Sequence, residues 1–408
     1  AHGFGRRLNA SLDYNKVSDD RYFVDLASQV KQVSLTNLPQ DGVLTYSGSL
    51  GSAPYSVQAR VQRFQTLQDP LAPIVPPYHR VPQLSFGTAF NGLGGLLDAT
   101  LPLEYARFEH RTLMEGSRVA FSPTLAAPFL FPSWYLTPRA GVRHTAYRLD
   151  PLAGERSPAL SVPWFSLDSG VNFERDARWF GESLTQTLEP RLFYVYAPYR
   201  EQSHIPLFDT ALADFNYPQL FTENRFVGGD RFGDANQATL ALTSRFLHAN
   251  GQEAFRATIA QRYYFENERV GLTPASPLRS STESDVLAAI GGRLFTNWTF
   301  DAATQYSRIQ QRMERYAVGA RYSETTLDDK RHMRRRRAHQ HPVPPAGAAA
   351  HPRRQRAAPA RVRARHLGAV VPPRGDPDTG RRPWLRLLLI RTRGADVRHP
   401  PGRRAKLP

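Results

Sequence analysis

Ala238-Thr239-Leu240-Ala241-Leu242-Thr243-Ser244-Arg245-Phe246 decides the fold. Its even positions are Ala, Leu, Leu, Ser and Phe, and its odd positions are Thr, Ala, Thr and Arg. Side chains along a strand point alternately to opposite faces, so this period of two describes a strand with one apolar and one polar face. His248-Ala249-Asn250-Gly251-Gln252-Glu253 follows, a short turn with the Asn-Gly hairpin signal. A second alternating run begins at Phe255, with Ala257, Ile259, Gln261, Tyr263 and Phe265 on one face and Arg256, Thr258, Ala260, Arg262 and Tyr264 on the other.

The pattern recurs outward in both directions. Trp298, Phe300, Ala302, Thr304 and Tyr306 alternate with polar or small residues, as do Tyr316, Val318, Ala320 and Tyr322, and, far upstream, Tyr55, Val57, Ala59 and Val61. A soluble antiparallel sandwich also alternates. Two features favour a membrane barrel instead. Arg recurs on the polar face of nearly every strand, as a wet lumen permits, and aromatics gather at strand ends, as in Tyr263-Tyr264-Phe265 and Tyr194-Val195-Tyr196. Strands are expected at about Thr187–Tyr196, Gln237–Phe246, Ala254–Phe265, Asp285–Phe295, Trp298–Tyr306 and Tyr316–Tyr322. Leu240, Leu242 and Phe246 are expected to face lipid, and Thr239, Thr243 and Arg245 the lumen. The rule of short periplasmic turns and long outer loops puts 198–236 outside and 248–253 in the periplasm. With a strand and its loop taking roughly 20–25 residues, about 13–16 strands fit residues 1–326.

The 408 residues carry a formal net charge of +17, but unevenly. Residues 331–408 hold +18 and the first 330 hold −1, while all 23 Phe and all 17 Tyr precede residue 331. The tail 327–408 is Arg, Pro, Ala, Gly and His without period, as in Arg334-Arg335-Arg336-Arg337. It has too little apolar surface to offset chain entropy, so disorder is expected. A nucleic-acid-binding arm and a lipid-headgroup arm are alternatives. The favoured reading is a frameshift product, a GC-rich gene read in the wrong frame, because the switch is abrupt. No run approaches 18 apolar residues, which excludes a helical membrane protein. The start Ala1-His2-Gly3-Phe4 has no apolar leader, so a mature form or a fragment is expected.

Candidate chemistry is sparse. Zero Cys excludes a disulfide scaffold, a thiolate metal site and cysteine catalysis. His2, His79, His110, His144, His204 and His248 have no metal-motif spacing. Ser47-Gly48-Ser49-Leu50-Gly51 lacks the first Gly of a nucleophile elbow and reads as a turn. Gly228-Gly229-Asp230-Arg231-Phe232-Gly233-Asp234 lacks the Lys of a phosphate loop; Asp230, Asp234 and Asn236 offer oxygens to Ca²⁺, but Phe232 stands where a ligand is wanted. Glu174-Arg175-Asp176 reads as a luminal ion cluster rather than an acid–base pair, and Asn297-Trp298-Thr299 as a chance sequon at a strand head. No catalytic, cofactor or metal residue is assigned, and no enzyme activity is expected.

Several of these stretches, in order, resemble the C-terminal barrel of the LptD family, the lipopolysaccharide (LPS) assembly or organic-solvent-tolerance proteins. They are Gln186-Thr187-Leu188-Glu189-Pro190-Arg191, Tyr196-Ala197-Pro198-Tyr199-Arg200-Glu201-Gln202, Asn224-Arg225-Phe226, Gly229-Asp230-Arg231, Ala235-Asn236-Gln237 and Gln261-Arg262-Tyr263-Tyr264-Phe265. Asp13-Tyr14-Asn15-Lys16-Val17-Ser18-Asp19 and Phe173-Glu174-Arg175-Asp176 extend the resemblance, which covers most of 8–325. It implies an outer-membrane translocon that receives lipopolysaccharide from periplasmic bridge proteins, a plug lipoprotein of the LptE type in the lumen, and no catalysis. Against that pattern the accepting N-terminal domain, the first strands and the last, cysteine-bearing strands are missing. The expectation is therefore an all-β, antiparallel transmembrane β-barrel, incomplete, with a disordered basic tail. A general porin without translocon role, or a nucleic-acid binder acting through the tail, are the alternative functions.

Overall fold

Prolines and glycines punctuate the strands, and the computed structural model shows how. It describes residues 2–4, 7–20, 36–69, 71–150, 157–179, 181–295 and 297–323. The tail 327–408, with its expected disorder, lies outside the described residues. Two compact units form: one from 1–175, 187–244 and 258–287, the other from 176–186, 245–257 and 288 onward.

The first unit opens with β1 (His2–Phe4), β2 (Leu8–Tyr14), β3 (Asn37–Leu50), β4 (Ala53–Thr66), β5 (His79–Leu93) and β6 (Leu97–Glu109). Each pairs antiparallel with the next. Then come β7 (Gly116–Phe121), β8 (Thr124–Ala126) and β9 (Phe129–Leu130). These three are one interrupted pass: β7 and β8 both lie between β6 and β10 (Trp134–Leu149), and β9 also pairs β10. Pro123 and Pro128 mark the interruptions, because proline has no N–H for the ladder. β10 pairs β11 (Ala159–Val171) over its length. After β12 (Phe173–Trp179), β13 (Glu182–Ala197) pairs β11 through Phe165↔Tyr196 to Gly170↔Arg191.

The connection 198–234 carries a two-stranded ribbon of β14 (Ala211–Leu212) and β15 (Phe226–Val227), with one 3-10 turn, Pro218–Phe221, between. β16 (Ala235–Leu247), β17 (Glu253–Tyr264) and β18 (Val286–Phe295) then run through both units. In the second unit, β19 (Trp298–Ser307) pairs β20 (Arg312–Tyr322) from Trp298↔Tyr322 to Ser307↔Arg312.

No α-helix occurs among the described residues, and the chain has an all-β antiparallel fold of the kind that builds membrane barrels. Each strand expected after residue 186 is present; β13, β16 and β20 are a few residues longer than expected, and the ends of the other three agree to within a residue. Ser47–Leu50, expected as a turn, is the end of β3, and the reversal comes at Gly51, whose φ is +61°.

Facing follows parity. Leu240 and Leu242 are 51% and 41% exposed, whereas Thr239 and Thr243 on the opposite face are buried. Val57, Val61, Leu84, Leu103 and Ile259 extend the exposed apolar face. A face this apolar and this exposed calls for an apolar surrounding. The polar face departs from the expectation of a wet surface. Thr243 Oγ1 lies 3.1 Å from Thr258 Oγ1 and is buried, and Arg262 is also buried. The cause, for Arg262, is 198–234, which folds back over this face instead of standing away from the strand ends. Ile205, Phe208 and Phe232 from the connection pack with Phe108, Tyr147, Leu149, Leu160 and Val162 from the strands. The Phe108 and Phe208 rings stack at 4.5 Å. Leu220 packs separately with Ala241, Ala260 and Leu287.

Three glycines face an aromatic ring directly across the ladder. A Cβ on Gly48 would stand 2.7 Å from the Tyr55 ring, one on Gly141 2.5 Å from Trp164, and one on Gly170 2.5 Å from Tyr135. Each glycine is the register partner of the residue that covers it.

Candidate functional site

Arg118 stands on β7, on the face opposite the exposed Val119 and Phe121. Its guanidinium is buried and engages three carboxylates. Nη1 donates to Asp209 Oδ1 and Asp230 Oδ1, each at 2.7 Å. Nη2 donates to Glu104 Oε1 at 2.7 Å and Asp209 Oδ2 at 2.9 Å. Planar guanidinium geometry suits such multiple charge-assisted bonds. Glu104 comes from β6, while both aspartates come from 198–234, so Arg118 ties the connection to the strands.

Asp230 is 0% exposed and fully used. Beside Arg118, its Oδ1 accepts from the Tyr147 hydroxyl at 3.0 Å. Its Oδ2 accepts from the backbone N–H of Phe208 at 2.8 Å and of Asp209 at 2.9 Å, and from Thr210 Oγ1 at 3.2 Å. Asp209 accepts in addition from Gly229 N–H at 2.9 Å and Arg80 Nη2 at 3.4 Å. Burial by itself would lift the Asp209 carboxyl, but the Arg118 hydrogen bonds and charge, Gly229 N–H and Arg80 outweigh it and hold it well below the usual carboxylate range.

The glycines of Gly228-Gly229-Asp230-Arg231 now have a physical reason. Gly228 has φ +87°, and a Cβ there would overlap the Asp209 carbonyl. A Cβ on Gly229 would overlap the Arg118 guanidinium. Arg231 donates to the carbonyls of Ile205 at 2.9 Å and Pro206 at 3.2 Å, and Gln202 pairs in both directions with the Phe232 backbone at 2.8 and 3.1 Å. Further along, Arg262 Nη2 donates to Gln219 O at 2.7 Å and Thr239 Oγ1 to Leu220 O at 2.8 Å. Arg191, paired with Asp168 at 2.6 Å, lies 3.8 Å over the Phe221 ring.

This arrangement is an anchor, with every carboxylate oxygen of Asp209 and Asp230 engaged by a protein donor. The oxygens that Asp230, Asp234 and Asn236 could offer to a cation are likewise engaged by protein donors. Asp234 caps the N–H groups of Arg269 and Val270, and Asn236 accepts from Tyr194 and donates to Glu266. Glu174, Arg175 and Asp176 lie exposed on β12. Asn297 immediately precedes β19, as expected. The described histidines are dispersed: His110 caps the N–H groups of Thr112 and Leu113, His144 meets Ser161, and His248 stands 3.4 Å from Glu182. Sequence reading singled out the glycine-rich motif but missed Arg118, Glu104 and Asp209. The one available signal was that two acids follow glycines which accept no phosphate.

The LptD profile, described as LPS transport system D, matches residues 1–331. The chain belongs to the LptD family. Curated relatives named LPS-assembly protein LptD agree with it across the same span. That of Aromatoleum aromaticum is 45% identical over 329 residues, covering 77% of this chain and 40% of the relative. That of Azoarcus sp. strain BH72 is 46% identical over 324 residues, covering 77% and 39%, and that of Thiobacillus denitrificans is 44% identical over 323 residues, covering 78% and 43%. The chain thus spans about two fifths of the length of the LptD relatives it matches. Within the LptD match lie both halves of the anchor, Arg118 with Glu104 and the Asp209–Asp230 segment.

Proposed function

We propose that residues 1–326 are barrel wall of an outer-membrane lipopolysaccharide translocon, which delivers lipopolysaccharide to the outer leaflet. The observation that carries this reading is the family match over 1–331, borne by a wall with one apolar exposed face and one polar, ion-anchored face. The apolar face meets lipid in the cell outer membrane. The polar face accommodates a plug lipoprotein of the LptE type, and the lipopolysaccharide arrives from periplasmic bridge proteins of the transport system. Residues 198–236 stand at the outer end and 248–253 at the periplasmic end. The work is transport, with no reaction asked of any side chain. Residues 327–408 add nothing to it; the family match ends at residue 331, where the composition changes. The packing of 198–234 over the polar face also favours a translocon over an open porin.

The test is a graft. Residues 7–323 replace the matching segment of the Azoarcus relative, in cells depleted of their own LptD. Lipopolysaccharide is expected at the cell surface, read by whole-cell labelling. A graft that is inserted in the outer membrane yet leaves newly made lipopolysaccharide unexposed refutes the reading.

A further inference from the structure

Farther along the polar face of β10 and β11, two more ion pairs join the connection to the wall. Arg139 of β10 stands 3.6 Å from Glu223 of the connection, and Ser166, the ladder partner of Arg139, donates to the same Glu223 Oε1 at 3.1 Å. Two residues on along β11, Asp168 accepts from Arg191 of β13, through Nε at 2.9 Å and Nη2 at 2.6 Å, and from the Tyr135 hydroxyl at 3.4 Å. The Tyr135 ring rests on Gly170. Tyr217 of the connection lies 5.2 Å from the Phe221 ring that Arg191 covers, and both tyrosines interact electrostatically with Arg191.

This cluster differs from the Arg118 anchor in what it leaves unused. In the anchor every oxygen of Asp209 and Asp230 is engaged. Here, among the described residues, Arg139 makes no hydrogen bond, and Arg191 Nη1, Glu223 Oε2 and the Tyr217 hydroxyl have no partner. The groups are also reachable, with side chains 45% exposed at Arg139, 32% at Arg191 and 23% at Glu223. Unused donors and acceptors thus stand side by side, between two half-buried aromatic rings.

We infer that Arg139, Glu223, Arg191, Asp168, Tyr135 and Tyr217 form a binding site for an uncharged sugar of lipopolysaccharide. The inference rests on the translocon reading above and names a subsite within it. Charge selects the ligand. Two guanidinium groups face two carboxylates, so the cluster is neutral: a phosphate would meet a carboxylate beside each arginine, and a cation an arginine beside each carboxylate. Hydrocarbon would strand four charged groups. A hydroxyl both donates and accepts. Neighbouring hydroxyls of one sugar ring can therefore give to Glu223 Oε2 and accept from Arg139. The tyrosine rings offer flat apolar surface to the C–H face of the same sugar. A few convergent polar groups among aromatic rings are the ordinary make-up of such sites. Tyr217 and Glu223 belong to the connection and the other four to the wall, so the site exists only while the connection is seated.

The full chain is extracted from outer membranes into detergent and titrated with an uncharged oligosaccharide cleaved from the sugar part of lipopolysaccharide. Saturation-transfer difference NMR reads the binding, and the uncharged probe keeps the Arg-rich tail out of it. Saturable binding is expected, unchanged by excess inorganic phosphate. Arg139→Ala, which removes no protein hydrogen bond, is expected to weaken it at least tenfold, and Tyr217→Ala to do the same. Gln58→Ala, elsewhere on the polar face, is expected to leave it unchanged. Protease resistance of 198–234, expected to be kept in Arg139→Ala, shows the connection still seated. Absence of saturable binding, displacement by phosphate, or equal binding by Arg139→Ala and Gln58→Ala overturns the inference. Binding abolished by added plug lipoprotein overturns it too, because the site then belongs to that partner. If the graft delivers lipopolysaccharide while the sugar signal is absent, the sugar site alone has failed. If the graft fails to deliver, the function proposal has failed instead.

Discussion

Asp230→Ala isolates the anchor. The substitution removes a carboxylate and leaves five donors facing a small void: Arg118 Nη1, the Tyr147 hydroxyl, the N–H groups of Phe208 and Asp209, and Thr210 Oγ1. An orphaned buried donor costs about 1–3 kcal/mol, and removing one partner of a buried ion pair about 3–5 kcal/mol, but the terms overlap and do not add. Arg118 keeps Asp209 and Glu104, which limits its own loss. The expected cost is about 4 kcal/mol, borne locally, because the β ladders do not involve Asp230. At about 1.4 kcal/mol per decade, the open fraction of 198–234 rises nearly a thousandfold. Limited proteolysis of intact cells, with the cut sites mapped, reads this directly. Cleavage within 198–234 should appear in the variant while heat-modifiable migration of the chain is kept. Cleavage at the wild-type rate would refute the claim that Asp230 holds the connection down.

Gly229→Ala should open the same segment to protease without removing any hydrogen-bonding group, since the new Cβ overlaps the Arg118 guanidinium. Leu242→Arg, if near the midplane, should destabilise the wall by about 2–4 kcal/mol in urea unfolding from liposomes. Thr243→Arg should also be costly, because Thr243 is buried against Thr258; a neutral Thr243→Arg would show the polar face to be wet there. Acid should release the connection only far below neutrality. The folded Asp209 carboxyl lies below its unfolded value, so its stabilisation is complete above the unfolded pKa of about 4 and is lost as pH falls through the depressed folded value. Protease resistance of 198–234 that vanished between pH 7 and pH 5 would contradict this. Gly141→Val should cost about 1–3 kcal/mol through overlap with Trp164, and Trp164→Ala in the same chain should recover part of it.

Strand existence and facing were readable from the chain because alternation is a property of neighbours. Leu240, Thr239, Leu242 and Thr243 point where a period of two puts them whatever lies across the sheet. The resemblance likewise rests on short runs, and the family match covers the same residues. The anchor was not readable, for the opposite reason. Arg118 and Asp230 are 112 positions apart, and Arg118 and Asp209 are 91 apart. Alternation says that Arg118 is on the polar face, but not that a connection folds down to meet it. A stretch rich in Asp, Gly and Pro looks solvated until the partners of its acids are known, which is why Asp230 was expected in a water-accessible outer loop and is instead wholly buried.

The covered glycines act as alignment marks. On β10 and β11, Gly141 faces Trp164 and Gly170 faces Tyr135, so one mark has its ring on each strand. A slip of one residue would turn every side chain to the wrong face and is already forbidden by the apolar pattern. A slip of two keeps all faces, and alternation alone does not oppose it. In one direction that slip would set Trp164 on Arg143 and Tyr135 on Asn172; in the other, Trp164 on Arg139 and Tyr135 on Asp168. Either way both rings lose the only neighbours small enough to lie beneath them. This hairpin therefore rejects the mispairing that its hydrophobicity would tolerate, and it does so locally, before any distant strand has arrived.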